Sequence, residues 1–280
     1  KYERGEASLR NFFMDGKNMY VAEKDFIMKE LHKAAVLYCE KRPSEVTEKT
    51  ARDLVTDVDV NVENTLIRAI RFNFPDDTVI SEERFPRVKP GARTWVIDPI
   101  DGTGNMAHGS PLFGIQCAFC VDGEPVLSAI NLPGLGMKLY AVKGEGAYLN
   151  NKKIAAGDEV NPANSTISIS DFSHKSVKNA KLQFHAMKKL HPQIAKIRMF
   201  GASCVDFAFA AAGYTDGAVM MAKKPWDLLP GVLLCREAGL KVSNLAGEEY
   251  KSGDYGVIAV KEALFDTVKA AFAPRSGLED

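Results

Sequence analysis

The chain has 280 residues, of which 46% are apolar and 26% charged, an ordinary globular composition with enough length to bury a real core. Lys plus Arg and Asp plus Glu both number 36, so the formal net charge is +0 and no basic excess points to a nucleic-acid polymer. Five scattered cysteines (Cys39, Cys117, Cys120, Cys204 and Cys235) argue for reduced thiols and a cytoplasmic setting, and no apolar run reaches membrane-spanning length.

Residues 1–20 carry no readable pattern. Phe26, Ile27, Leu31 and Ala35 then mark an amphipathic helix over 21–42. A polar loop is expected from there to Asp53. Val62, Leu66, Ile67 and Ile70 share one side of a second helix over about 59–73, which Asn73-Phe74-Pro75-Asp76-Asp77 stops. Short strands follow at 78–80 and 94–97. Strands at about 112–121, 125–131 and 137–142, separated by Asp122-Gly123 and Pro133-Gly134, predict an antiparallel meander that ends near 148. Alternation would point Cys117 and Cys120 to opposite faces, which disfavours zinc or redox chemistry.

Beyond residue 150 the rhythm changes. Strand 166–170, helix 175–190, strand 196–200, helix 203–213, strand 217–221 and helix 227–238 alternate as in an α/β layer. Strands near 241 and 257 and a helix over about 261–272 close the pattern. The organisation predicted is a helix-plus-antiparallel-sheet half (1–150) and an α/β half (151–280), joined without a flexible linker in one compact body.

Asp98-Pro99-Ile100-Asp101-Gly102-Thr103 is the most informative stretch. It follows the buried strand Thr94-Trp95-Val96-Ile97, so two carboxylates sit at a strand's mouth, where open α/β sheets place ligands. Two anionic groups held close repel unless a cation lies between them. Gly102 and Thr103 then offer backbone N–H groups at a possible helix start, an anion site. An Asp-Gly turn is the plainer reading of the same residues. Three more acidic clusters interrupt the loops: Asp53 to Asp59, Ser81-Glu82-Glu83, and Trp226-Asp227. Carboxylates and carbonyls suit Mg²⁺, and no Cys/His cluster competes for a softer metal. Singly, each has an ordinary structural role: Asp227 as a helix cap, Glu82 and Glu83 as solvated charges, Asp57 and Asp59 as caps of the second helix.

Together they fit one pattern. Asp98-Pro99-Ile100-Asp101-Gly102-Thr103-Gly104-Asn105-Met106-Ala107-His108-Gly109 resembles the first signature of the inositol monophosphatase-like family of Mg²⁺-dependent, lithium-sensitive phosphatases. Lys224-Pro225-Trp226-Asp227 with Gly231, Glu237, Ala238 and Gly239 resembles the second. Asp53-Leu54-Val55-Thr56 with Asp59, and Ile80-Ser81-Glu82-Glu83, match the upstream motifs.

The resemblance implies a layered αβαβα sugar-phosphatase fold of mixed α/β class, with the site between the halves. It implies that Glu82, Asp98 and the Ile100 carbonyl hold one Mg²⁺, that Asp98, Asp101 and Asp227 hold a second, and that a weaker third has room near Glu82. Gly102 and Thr103 would bind the phosphate, Thr103 and Asp59 would orient and deprotonate the attacking water, and Asp53 would support the loop. Gly201, Ala202 and Ser203 would contact the substrate ring, although Ser203 reads equally well as a helix N-cap. His108 is read as structural, and Lys49 and Lys224 as solvated lysines near the phosphate entrance. The inositol-specific acidic residue is replaced by Met220, which cannot accept hydroxyl hydrogen bonds.

The expected activity is hydrolysis of a small phosphorylated metabolite, inositol monophosphate first. Fructose-1,6-bisphosphate, histidinol phosphate and 3′-phosphoadenosine 5′-phosphate are alternatives, as is a non-catalytic sugar-phosphate or metal sensor. A homodimer is expected from the family, with no membrane or nucleic-acid partner.

Overall fold

Two large sheets of unequal size and a separate two-stranded hairpin divide the strands. The computed structural model describes residues 19–40, 43–50, 53–157, 160–173 and 176–273. Helix α1 (Val21–Tyr38) is followed by a hairpin of β1 (Val46–Thr50) and β2 (Asp53–Thr56), and then by α2 (Asp57–Asn73). The hairpin replaces the expected polar loop. β1 is polar and largely exposed, and β2 is only four residues long, so no hydrophobic alternation betrays them.

The larger sheet takes β3 (Thr78–Ser81), β4 (Arg93–Asp101), β5 (Gly114–Val121), β6 (Glu124–Leu132), β7 (Met137–Val142), β8 (Gly146–Leu149) and β9 (Lys152–Ile154), side by side in chain order. Only β3 and β4 run parallel; the rest is the antiparallel meander read from the turns. A short helix α3 (Thr103–Ala107) separates β4 from β5.

The smaller sheet has the order β11 (Lys196–Arg198), β10 (Thr166–Ile169), β12 (Gly217–Met220), β14 (Val257–Val260) and β13 (Lys241–Ser243). β11, β10 and β12 are parallel, so their C-terminal ends share one edge. The helices here are α4 (Val177–Leu190), α5 (Ser203–Ala211), α6 (Pro225–Glu237) and α7 (Phe265–Phe272).

Three apolar clusters stack these elements into five layers. α1 and α2 cover one face of the larger sheet through Ile27, Leu31, Val62, Leu66 and Ile70 against Trp95, Ile97 and Phe119. Its other face, with Val96, Ala118 and Ile130, packs on α5 and α6, whose far side meets Ala218, Met220 and Ala259 of the smaller sheet. α4 and α7 cover the outside of that sheet. α5 and α6 approach closely because residue 231 is glycine: a Cβ there would fall 1.9 Å from the Phe207 ring.

All five cysteines are free thiols. Cys117 and Cys120 lie in different clusters on opposite faces, as alternation requires. Met220 is 2% exposed in the central core, which places it among apolar side chains and not on an open cleft wall.

Candidate active site

A β-bulge sets the geometry of the Asp98–Thr103 segment. Asp98 pairs with Gln116, and Asp101 pairs with Gly114, so three steps along β4 match two along β5. The extra residue falls at Pro99-Ile100, where proline has no N–H for the ladder. Positions 116 and 114 share a face, so the bulge turns both carboxylates to one side. That side is the α5–α6 side, two residues beyond the buried pair Val96 and Ala118.

Gly102 then takes φ +87°, and a Cβ on it would meet Ala202 Cβ at 2.8 Å and Leu112 O at 3.0 Å. Only glycine permits this turn. α3 starts immediately, and its first internal bond runs from the Met106 N–H to Gly102 O at 3.0 Å. The N–H groups of Thr103 and Gly104 therefore have no acceptor within the helix.

Asp59 reaches the same place from α2. Thr56 caps α2, and the Thr56 N–H and hydroxyl both donate to Asp59 Oδ2, the former at 2.8 Å. The other oxygen, Oδ1, accepts from Thr103 Oγ1 at 3.0 Å. Thr103 Oγ1 also lies 2.9 Å from the Ile100 carbonyl, its alternative acceptor. Asp59 is fully buried, and burial raises its carboxyl pKa while the Thr56 and Thr103 bonds hold it down. Asp57 is not part of this group; it accepts from Ser44 and Glu45 at the surface. The side chain of Asp53 lies outside the described residues.

The carboxylates crowd together. Asp98 is 1% exposed, and its Oδ1 is buried without a hydrogen-bond partner. Its pKa is driven well above the usual range by burial, then by the charges of Glu82, Asp101, Asp227 and Asp59. Four carboxylates, three of them from distant segments, thus lie within electrostatic reach of one. Asp227 arrives on the first turn of α6. Glu82 is pushed up to about 7 by burial, with Lys49 opposing and Glu83 reinforcing the shift.

The turn carrying Glu82 is fixed by Glu63, whose Oε1 accepts the N–H groups of Glu83 at 2.9 Å and Arg84 at 3.1 Å. Asp101 Oδ2 accepts from Ser203 Oγ at 2.7 Å, the Cys204 N–H at 2.5 Å and Gln116 Nε2 at 3.1 Å. This corrects the capping role considered for Ser203. The N-cap of α5 is Ala202, and the Ser203 hydroxyl holds Asp101.

Lys49 is not a free solvated lysine. Its ammonium lies 3.4 Å from Glu82 Oε1 and closer still to Glu83 Oε1. His108 is structural, with its Nδ1–H donating to Gly104 O at 2.8 Å. Gly201 adjoins Asn105, whose amide donates to Leu112 O and Phe200 O, both at 2.7 Å. Sequence reasoning passed over Gln116 and Glu63, named Asn105 only within the signature, and read Lys49 as solvated. The type and position of Gln116 and Glu63 signal nothing until the strands are paired.

The donor set is hard oxygen with an orphaned buried carboxylate atom, which fits a divalent cation. Among the described residues, no three acidic, imidazole or thiol side chains converge at metal-binding distance. Asp101 is turned to the start of α5, and Glu82 to Lys49.

The inositol monophosphatase family model matches residues 21–274. The chain belongs to the inositol monophosphatase family. It is a phosphatase, a phosphoric monoester hydrolase, of a metal-dependent family acting on small phosphorylated substrates. Among curated relatives, the Thermotoga maritima fructose-1,6-bisphosphatase/inositol-1-monophosphatase is 32% identical over 250 residues, covering 87% of this chain and 93% of the relative. The Escherichia coli protein named Nus factor SuhB is 33% identical over 204 residues, covering 72% and 76%. The solved structure of the Thermotoga maritima IMPase superposes with a TM-score of 0.80 at 28% identity, covering 90% of this chain and 96% of that one. These likenesses establish the layered family fold for this phosphatase. Among the described residues, no helix is long and apolar enough to cross a membrane.

Proposed function

We propose that this phosphatase hydrolyses a small sugar-phosphate monoester, with inositol monophosphate as the leading candidate, in a Mg²⁺-dependent reaction. The Thr103–Asp59 pair, set beside the carboxylate cluster around Asp98, carries the reading. Glu82, Asp98, Asp101, Asp227 and the Ile100 carbonyl are the groups that would hold two Mg²⁺ ions, with a third near Glu82 a further option. When bound, Mg²⁺ supplies positive charge to the ester and acidifies a water at neutral pH.

The chain's own groups do the rest. The Gly102 and Thr103 N–H groups receive the phosphate oxygens without reorganising. Thr103 Oγ1 takes a proton from the attacking water as its own proton passes to Asp59 Oδ1. Asp59 suits this role because Thr56 holds its other oxygen and burial favours its protonated form. Gly201 and Ser203 border the alcohol side. No serine or cysteine nucleophile is required, so water attacks in line. We also propose the homodimer and cytoplasmic setting expected from the family and the free thiols.

Phosphate release from inositol, sugar and nucleotide monoesters, with Mg²⁺ and with chelator, tests this. Release that needs Mg²⁺ and ranks inositol or sugar esters first is expected. No release from any ester with Mg²⁺ would overturn it in favour of the non-catalytic alternative.

A further inference from the structure

The three parallel strands β11, β10 and β12 end together, and the loops leaving them carry residues 199–202, 170–173 and 221–224. Such strand ends are where open α/β sheets receive ligands. One residue there stands out. Asp171 is the second residue beyond β10, and its backbone is fixed from both sides.

On one side, the Ser170 N–H donates to Val219 O at 3.0 Å, the Met221 N–H donates to Ser170 Oγ at 3.0 Å, and Gln183 Nε2 donates to Ser170 O. On the other, the Phe172 ring stacks on Phe184 with centroids 4.0 Å apart and planes 19° from parallel. The Asp171 side chain itself is exposed, and no described residue hydrogen-bonds it. The backbone on either side of this carboxylate is fixed, and among the described residues the carboxylate has no partner, so it is open to a ligand.

Its position says what. A Cβ built on Gly201 would lie 3.4 Å from Asp171 Oδ2 and 3.1 Å from Asn105 Nδ2. Ala202, the next residue, packs 2.8 Å from where a Gly102 Cβ would stand. The phosphate turn and the Asp171 carboxylate are thus separated by only Ala202 and Gly201. The Asp171 carboxylate is therefore within reach of the alcohol portion of an ester whose phosphate rests on Gly102 and Thr103. A carboxylate accepts hydrogen bonds and donates none, so it welcomes hydroxyl groups and repels a further phosphate.

We propose that Asp171 is a specificity-determining residue of this chain, its carboxylate accepting a hydroxyl of the alcohol portion. The inference rests on the phosphatase reading above. Asp171 binds and takes no part in the chemical step, so its removal acts on KM and not on kcat.

The test uses the full chain with Mg²⁺ and two esters, myo-inositol 1-phosphate and phenyl phosphate, whose alcohol has no further hydroxyl. Asp171→Ala should raise KM for the inositol ester about tenfold or more, the loss of one or two charge-assisted hydrogen bonds. Its kcat should hold, phenyl phosphate kinetics should not move, and Asp171→Glu should retain more of the preference than Asp171→Ala. An unchanged ester ranking, or equal losses on both esters, overturns the role of Asp171. A wild-type protein that releases phosphate from neither ester overturns the phosphatase reading and this inference with it.

Discussion

Thr103 Oγ1 lies 3.0 Å from Asp59 Oδ1, although 44 residues of chain separate them. The contact joins the first turn of α2 to the first residue of α3. Two independent devices aim it: the capping box of α2 fixes the Asp59 carboxylate, and the positive-φ turn at Gly102 fixes Thr103. A hydroxyl and a buried carboxylate so placed are the pair to which the proposed proton path assigns the attacking water's proton.

Thr103→Ala should lower kcat by about 10²–10⁴, the range of a general-base element, with far less effect on KM. Thr103→Ser keeps the hydroxyl and should recover a large part of the rate. Steady-state kinetics on one ester with all three proteins checks this. Equal rates for the Ala variant and wild type would remove Thr103 from the proton path.

Asp98→Asn makes opposite changes in stability and activity. Asp98 is buried among like charges, so neutralising it should make the metal-free protein more stable. The same change removes a charge that a divalent cation needs, so kcat/KM should fall about 10²-fold or more. Thermal unfolding with chelator and with Mg²⁺, beside phosphate release, reads both effects. A variant that remains active and is still stabilised by Mg²⁺ would remove Asp98 from the ligand set.

Metal-free stability should fall as pH rises through the interval in which Glu82 titrates. The Glu82 pKa goes from 4.5 to about 7 on folding, so the folded state binds more protons there than the unfolded state. Stability is then highest below about 4.5 on this account and is lost progressively toward about 7, where folded Glu82 must ionise. Asp98 acts in the same direction. Mg²⁺ should offset the loss most at the upper end. Denaturation midpoints at several pH values, with chelator and with Mg²⁺, decide it; a cation effect independent of pH would contradict it.

Asp206 is a buried carboxylate outside the proposed ligand set, with Asp101 and Asp171 within electrostatic reach. It is 1% exposed on α5, and neither carboxyl oxygen has a hydrogen-bond partner among the described residues. Burial drives its pKa well up, against a weaker pull from Ser168, whose hydroxyl is directed at Gly217 O. Asp206→Asn should therefore stabilise the protein near neutral pH, with the gain shrinking as pH falls toward the ordinary aspartate range of about 4. Chemical denaturation at two pH values measures it. A loss of stability at neutral pH would show that the carboxylate has a partner after all.

The order of helices and strands was largely legible, because apolar spacing and Asp-Gly or Pro-Gly turns mark most of them. β4 extends past the expected 94–97, through Pro99 to Asp101, since its bulge keeps the strand paired where proline suggested a turn. α2 begins at Asp57 and α6 at Pro225, each earlier than its apolar pattern starts, because caps and proline set the first turn. The acidic residues of the site were legible as motifs. Their partners were not. Lys49 with Glu82, Gln116 with Asp101 and Ser203 with Asp101 depend on which strands lie side by side, and that is not written in local spacing. Met220 could be read only by offset along the chain, and burial places it in the core instead.

The link between Asp101 and the first turn of α5 has a consequence for ancestry. Asp101 at the end of β4 holds the start of α5, and Asn105 on α3 holds Phe200 in the loop before it, so two side chains keep the smaller sheet's loops in register with the Asp98–Thr103 segment. Descendants of such a molecule can change appetite by rewriting three short loops while the hydrolytic apparatus passes down untouched.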